Sequence, residues 1–156
     1  MSNNQIAARQ VTMADNLDDL VEQINRAQWD DANDMADYEV CALSSYLERP
    51  DTVFIACYDH DIQPPNLLGI ASGRLEMKPY DGSFWLYVDE VDVCVDQRQR
   101  GAGTQLMRAM QRFARAHECD ELWLGTEPDN VAANALYRAL QPSEEEAFIG
   151  YTYSFE

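Results

Sequence analysis

Lysine is almost missing from this chain: Lys78 is the only one among 156 residues. Even with arginine the bases number 11, against 28 acids, and the formal charge is -17. Nucleic acid is therefore not an expected partner, because binding it needs clustered basic side chains. No apolar run approaches the ~20 residues that span a bilayer, so no membrane association is expected. The opening Met1-Ser2-Asn3-Asn4-Gln5 lacks the charged and apolar regions of a secretion signal, which points to the cytoplasm. Histidine is scarce: His60 and His117 stand far apart, one in a polar turn and one near a predicted helix end, and no metal site is expected. The cysteines, Cys41, Cys57, Cys94 and Cys119, form no Cys-x-x-Cys pair and each lies in an apolar-patterned segment. Buried, reduced thiols are the expectation.

What is present is a globular composition. Hydrophobic residues make up 46% of the chain, enough for one domain spanning 1–156 with a core of its own. The acidic excess would attract a cationic ligand. General solubility or adaptation to high salt accounts for the same composition, and the sequence leaves both readings open.

Taken in order, Gln5 to Val11 reads as a strand. Thr12-Met13-Ala14-Asp15 resembles a capping box, with Asp in place of Glu. Leu17, Leu20, Val21 and Ile24 mark one face of a helix reaching about Gln28. Trp29 to Asp37 is an acidic connection, and a second helix runs from Tyr38 to Arg49, stopped by Pro50. Strands follow at Val53–Tyr58 and Leu67–Met77, then a hairpin turn at Asp81-Gly82 and a strand from Trp85 to Val95. Later come a helix through Leu106, Met107, Met110 and Phe113, a strand Glu121–Thr126 and a helix Val131–Leu140 capped by Asn130. Ala147–Phe155 has an aromatic alternation that predicts a final strand. The fold class is α/β, a mixed and mostly antiparallel sheet flanked by about four helices.

The stretch from Trp85 to Arg115 organises the rest. A strand turns through Asp96-Gln97 into Arg98-Gln99-Arg100-Gly101-Ala102-Gly103-Thr104 and then a helix. The first N–H groups of a helix have no internal partner and carry positive potential, so they suit a phosphate. Gly101 and Gly103 would let it approach the backbone. The sequence is neither a P-loop nor a dinucleotide fingerprint, because the lysine of the one and the third glycine of the other are absent. Within the strand, alternation puts Glu90, Asp92 and Cys94 on one face and Val91, Val93 and Val95 on the other. Two acids on one face of an apolar strand suit proton transfer; a solvated face is the plain alternative. Two neighbouring carboxylates also raise one another's pKa.

Val93-x-x-x-x-Arg98-x-x-Gly101-x-Gly103 resembles the pyrophosphate signature of the GNAT superfamily of acyl-CoA-dependent N-acetyltransferases. Asn130-x-x-Ala133-x-x-x-Tyr137, with Leu136 and Leu140, is similar to that family's second conserved segment. Within the superfamily the chain most resembles the GNAT-type aminoglycoside 3-N-acetyltransferases. Leu86-Tyr87-Val88-Asp89-Glu90-Val91, Glu127, Ala133-x-Ala135-Leu136-Tyr137 and Glu144-Glu145 carry that resemblance. Gln141-Pro142 and Val95 depart from the common pattern.

The resemblance implies acetyl transfer from acetyl-CoA to a cationic small-molecule amine, most of all an aminoglycoside, by a homodimer. Glu90 would be the general base and Asp92 would steer the cation. Tyr137 would protonate the leaving thiolate, unless it is simply a core tyrosine. Backbone groups of Val91, Val93 and Val95 would meet the pantetheine arm. Amides of Gln99, Arg100, Gly101, Ala102, Gly103 and Thr104 would hold the pyrophosphate, with Arg98 and Arg100 adding charge. Asn130 would bond the cofactor arm or only cap its helix. Asp34, Asp37, Glu127, Asp129 and Glu145 are candidate acceptor carboxylates. A polyamine or other small-amine acetyltransferase, a protein acetyltransferase, and a non-catalytic acyl-CoA sensor are the competing readings.

Overall fold

Val53 through Tyr58 is buried without interruption, the mark of a strand covered on both faces. In the computed structural model, which describes residues 5–156, this segment is β2 (Thr52–Asp59), flanked by β1 (Ile6–Gln10) and β3 (Asn66–Met77). β4 (Phe84–Val93) and the short β5 (Glu121–Trp123) complete a five-stranded sheet in the order β1-β2-β3-β4-β5. The first four strands pair antiparallel and β5 pairs parallel to β4. Residues Met1–Asn4, on which part of the signal-peptide expectation rests, lie outside the described residues. The chain divides into two units, one ending at Leu124 and one running Gly125–Glu156.

In the first unit, helix α3 (Ala102–Ala116) covers one face of the sheet. Its Leu106, Met110 and Phe113 pack with Val53, Ile55, Leu68, Leu86 and Val88. α1 (Leu17–Arg26) and α2 (Val40–Glu48) cover the other face, where Leu20, Ile24 and Leu43 meet Phe54, Ala56 and Ile70. Burying each such aliphatic or aromatic side chain contributes about 1.5–3 kcal/mol. α1 begins later than the capping-box reading expected. Asp15 and Thr12 bond within a preceding turn, and the cap is Asn16, whose side chain accepts from the N–H of Asp19 at 3.1 Å.

β4 departs from strict alternation. Ser72 stands opposite Glu90 and Gly73 opposite Val88, so Asp89 is an extra residue, a β-bulge. Leu86 and Val88 before the bulge, and Val91 and Val93 after it, therefore all join the α3-side core. Glu90 and Asp92 turn to the other side. The Tyr46 hydroxyl donates to the Gly73 carbonyl at 2.8 Å, bracing the bulge from α2. The strand also ends sooner than expected: Val95 lies in a 3-10 turn (Val95–Gln97), and its N–H donates to the Gln28 carbonyl at 2.8 Å. Val95 is thus not part of the sheet edge, and Cys94 caps that turn instead of continuing the face of Glu90 and Asp92.

The second unit contains α4 (Val131–Ala139), capped by Asn130 as expected. The predicted closing strand at Ala147–Phe155 is not formed; residues 144–156 have no regular structure. Alternation supplies a strand's faces, but a strand exists only with a hydrogen-bonded neighbour, and none is present there among the described residues. Of the cysteines, Cys57 and Cys94 are buried as expected, whereas Cys41 is exposed on α2.

Gly69 faces the acidic segment of β4 across the sheet. A Cβ there would stand 2.6 Å from the Asp92 carbonyl oxygen and 3.0 Å from Leu106 Cδ1. The carbonyl belongs to the ladder and cannot yield. Gly69→Ala should lower unfolding free energy by about 1–3 kcal/mol, measured by urea denaturation.

Candidate active site

The site begins at the bulge. β4 pairs with β5 only through Trp85/Glu121, Leu86/Leu122 and Tyr87/Trp123, yet it continues to Val93. Beyond Tyr87 the two parallel strands no longer form a ladder, and the backbone edge of Val88–Val93 faces the gap on the β5 side. Val91 and Val93, named as groups for the pantetheine arm, lie on this edge. The chain then passes the 3-10 turn and reaches the glycine turn. Gln99 and Gly101 both have positive φ, 62° and 90°. Left-handed residues before a helix turn consecutive N–H groups toward one point, a nest for an anion. Gly101 caps α3, and a Cβ built on it would meet nothing within 4 Å. The amides of Ala102, Gly103 and Thr104 open the helix and have no intrahelical acceptor. This open turn fits a pyrophosphate.

The arginines of the turn are already engaged. Arg98 pairs with Asp30 at 2.8 Å, and Arg100 pairs with the buried Asp59 while also donating to Gln97 at 2.6 Å. Each guanidinium holds its partner's carboxyl below the ordinary value. Neither arginine stands as an uncompensated charge. Asp30 and Asp59 were not singled out in the sequence, because residues 68 and 41 positions from their partners leave no local signal.

Glu90 and Asp92 share the α1/α2 side of β4, opposite Ser72 and Ile70. Glu90 is exposed, whereas Asp92 is only 7% exposed. Burial, and then the charge of Glu90, push the Asp92 carboxyl up to about 6, while a hydrogen bond from Asn33 opposes the shift. Asn33 Nδ2 donates to Asp92 Oδ1 at 2.7 Å. Tyr38 lies under the influence of both carboxylates; burial first, and then these charges, push its phenol well above the usual value. A carboxyl near 6 takes a proton close to neutral pH more readily than an ordinary carboxylate does.

The remaining candidates divide between the units. Asp34 closes the 3-10 turn Asp31–Asn33 in a left-handed conformation, and both Asp34 and Asp37 are exposed on the loop between α1 and α2. In the second unit Asn130 Oδ1 accepts from the Ala133 N–H at 3.1 Å, so the capping role is realised. Tyr137 is half-buried on α4. Glu127 and Asp129 are exposed. Glu145 is bound to Arg138 at 2.6 Å, which compensates its charge and weakens the case for it as an acceptor carboxylate.

A parallel pair whose ladder stops at Tyr87, acids further along the same strand and a helix-opening glycine turn after it agree with the resemblance to an acyl-CoA-dependent transferase. The chain belongs to the Acetyltransferase (GNAT) family, whose profile matches residues 16–141, and it is an N-acetyltransferase. Relatives named aminoglycoside N(6')-acetyltransferase type 1, from Salmonella typhimurium and Salmonella enteritidis, are each 28% identical over 109 residues, covering 70% of this chain and 68% of theirs. The crystal structure of the aminoglycoside acetyltransferase meta-AAC0020, from an uncultured soil metagenomic sample, superposes in its trehalose complex with a TM-score of 0.83 at 15% identity, over 99% of both chains. Aminoglycoside N-acetyltransferase AAC(6')-Iy in complex with CoA gives 0.72 at 20% identity, over 95% of this chain and 94% of that one. At these identities the structures show a shared fold.

The displaced titration of Asp92 has a consequence for stability. Its carboxyl stands near 6 in the folded chain against an ordinary 3.8. Between these values the folded state binds the extra proton, so stability falls as pH rises through this window, and the deficit is complete above it. Asp92→Asn keeps the shape and removes the charge. Its melting temperature should exceed the wild type's at about pH 8, and the difference should close as pH falls toward about 4. Thermal melts across that range test this.

Proposed function

We propose that this chain transfers the acetyl group of acetyl-CoA to an amine of an aminoglycoside. The observation that carries the reading is the pair Glu90 and Asp92, on one side of β4 and directly ahead of the glycine turn. The names of the relatives support the acceptor class. The resemblance in the sequence points to position 3 of the aminoglycoside, whereas the curated relatives act by name at N(6'); the acetylated product decides between them.

Acetyl-CoA supplies the activated acyl thioester. The chain's own residues do the rest. Amides of Gln99 to Thr104 hold the pyrophosphate at the nest, and the β4 edge at Val91 and Val93 receives the pantetheine arm. A backbone N–H of that edge polarises the thioester oxygen. The acceptor arrives as an ammonium and is inert until it loses a proton. Glu90, open to solvent, takes that proton directly or through a water. Asp92, shielded beside it, keeps negative potential against the cation. Asp34 and Asp37 add carboxylates for the further ammonium groups of a polycationic acceptor. The departing thiolate takes up a proton; the resemblance to the family, and not a placement in the structure, gives the donor's role to Tyr137.

We also read the active form as a homodimer in the cytoplasm. Ile149, Tyr151, Tyr153 and Phe155 are 78%, 79%, 80% and 92% exposed, more apolar surface than a short segment ordinarily leaves to water. The free thiols suit a reducing compartment.

Thiol release from acetyl-CoA, measured with sisomicin, spermidine and an N-terminal peptide as acceptors, should be saturable with sisomicin. Turnover with spermidine alone would make this a polyamine enzyme, and cofactor binding without any turnover would make it a sensor. Glu90→Gln should lower kcat about a hundredfold with unchanged coenzyme A affinity; wild-type turnover in that variant removes Glu90 from the mechanism.

A further inference from the structure

Besides the bond from the Val95 N–H to the Gln28 carbonyl, three side-chain contacts along the loop between α1 and α2 help fasten it to the rest of the first unit. At its start, Asp30 pairs with Arg98 of the glycine turn at 2.8 Å. At its end, the side chain of Asn25 bonds Tyr38 twice, donating to its carbonyl at 2.9 Å and accepting from its N–H at 2.8 Å. Between them, Asn33 donates to Asp92 at 2.7 Å. Of these three, Asn33 alone touches the acids of β4.

Its placement is built locally. The Asp30 side chain accepts from the Ala32 N–H at 3.0 Å, and the Asp30 carbonyl accepts from the Asn33 N–H at 2.9 Å. Asp34 then leaves the turn in a left-handed conformation, φ 45°. The turn is thus closed at both ends, and the residue at its tip spans 59 positions of sequence to meet a nearly buried carboxylate.

We propose that Asn33 is a positioning residue for the acetyl-transfer reaction, orienting the Asp92 carboxylate through its amide donor and so coupling the acidic acceptor loop to the strand that carries the base. The proposal rests on the reading of Glu90 and Asp92 as the groups that handle the amine and its proton. An amide does not titrate, so Asn33 donates whether Asp92 is ionised or protonated on its other oxygen. The donor favours the charged form and opposes two effects that disfavour it, burial and the neighbouring Glu90. The groups facing Asp92 are Glu90 from its own strand, Asn33 from the turn, and Tyr38 from the approach to α2, whose phenol stays neutral through this range. Ile70 of β3, opposite Asp92 in the ladder, brings no charge. Asn33 is therefore the one donor that holds this carboxylate among the described residues.

The test has two readouts. Carbon-detected NMR titration of the Asp92 carboxyl in the ligand-free enzyme should place its midpoint about one unit higher in Asn33→Ala than in the wild type. The acid limb of kcat/KM for the acceptor should move up with it. The acceptor KM should rise about tenfold as the loop loosens, with the acetyl-CoA KM unchanged. The acceptor is sisomicin or, where sisomicin is not acetylated, spermidine. Asn33→Ser, too short to span the contact, should reproduce both shifts and guards against an artefact of one variant. An unmoved midpoint overturns the proposal. A moved midpoint with unchanged acceptor kinetics also overturns it, since the contact is then only structural. Asp92→Asn and Glu90→Gln separate the underlying reading: wild-type turnover in both sinks that reading and the Asn33 proposal together. Loss of turnover in them with wild-type behaviour in Asn33→Ala sinks the Asn33 proposal alone.

Discussion

The period of a β-strand is two, and β4 breaks it once. Without the extra residue at Asp89, Leu86, Val88, Glu90 and Asp92 would fall on a single face. The carboxylates would then be driven into the packing against α3, or the aliphatic residues would be pushed out of it. One inserted residue resolves the conflict: four aliphatic side chains stay against α3, and both acids turn toward the α1/α2 side. A bulge also bends its strand and increases local twist. The ladder with β5 ends at Tyr87, two positions before Asp89. The acids and the opening beside them thus lie within a few residues of the same local irregularity.

Holding Asp92 in that place works against stability. A nearly buried carboxylate next to a second acid is disfavoured in its charged form, and its raised titration is the signature. The fold tolerates this because the surrounding contacts are over-determined. Tyr46 braces the Gly73 carbonyl opposite the bulge, β3 and β4 pair on both sides of it, and Gly69 lets the backbones close without a side chain between them. The Arg74 guanidinium lies 3.4 Å from Asp89 and over the Tyr87 ring, so the bulged residue itself is partly compensated. Asp92 receives an amide rather than a cation, which orients the carboxylate without neutralising it. An arginine at that point would hold the charge more firmly and lower its affinity for a proton.

Much of this was legible in the sequence because it depends on near neighbours. Continuous apolar runs marked β2 and β3, Asp81-Gly82 marked the hairpin, and helical spacing with the glycine turn marked α3. Glu90 and Asp92 share a side, as alternation predicts, but alternation alone groups them with Leu86 and Val88. The bulge has no sequence signal of its own; it appears only when β3 and β4 are paired. The contacts of Asn33 with Asp92 and of Asp59 with Arg100 were invisible for a similar reason, since they join segments far apart in the chain. The closing strand failed in the opposite way. The alternation of Phe148, Tyr151, Tyr153 and Phe155 is genuine, but alternation describes the faces of a strand and not the neighbour that makes it one. Val95 leaves the strand because a 3-10 turn starts there and takes its N–H to Gln28.

A chain with a charge of -17 is an unpromising host for an anionic nucleotide tail, and the glycine turn suggests how the difficulty is met. Arg98 and Arg100 do not offer bare charge, since Asp30 and Asp59 compensate them. What remains is the run of amides through the left-handed Gln99 and Gly101, together with the start of α3. These are short-range donors. They act at hydrogen-bonding distance, where a distant carboxylate is screened: at about 0.1 M salt the field of exposed charges fades over about 10 Å. Beyond that contact the acidic surface still lowers the energy of an approaching polycation. Long-range attraction for one substrate and short-range donors for the other can therefore coexist in one small protein. The arginines then serve chiefly to fix the shape of the turn, with Asp30 and Asp59 as their anchors, and the turn's shape aims the amides.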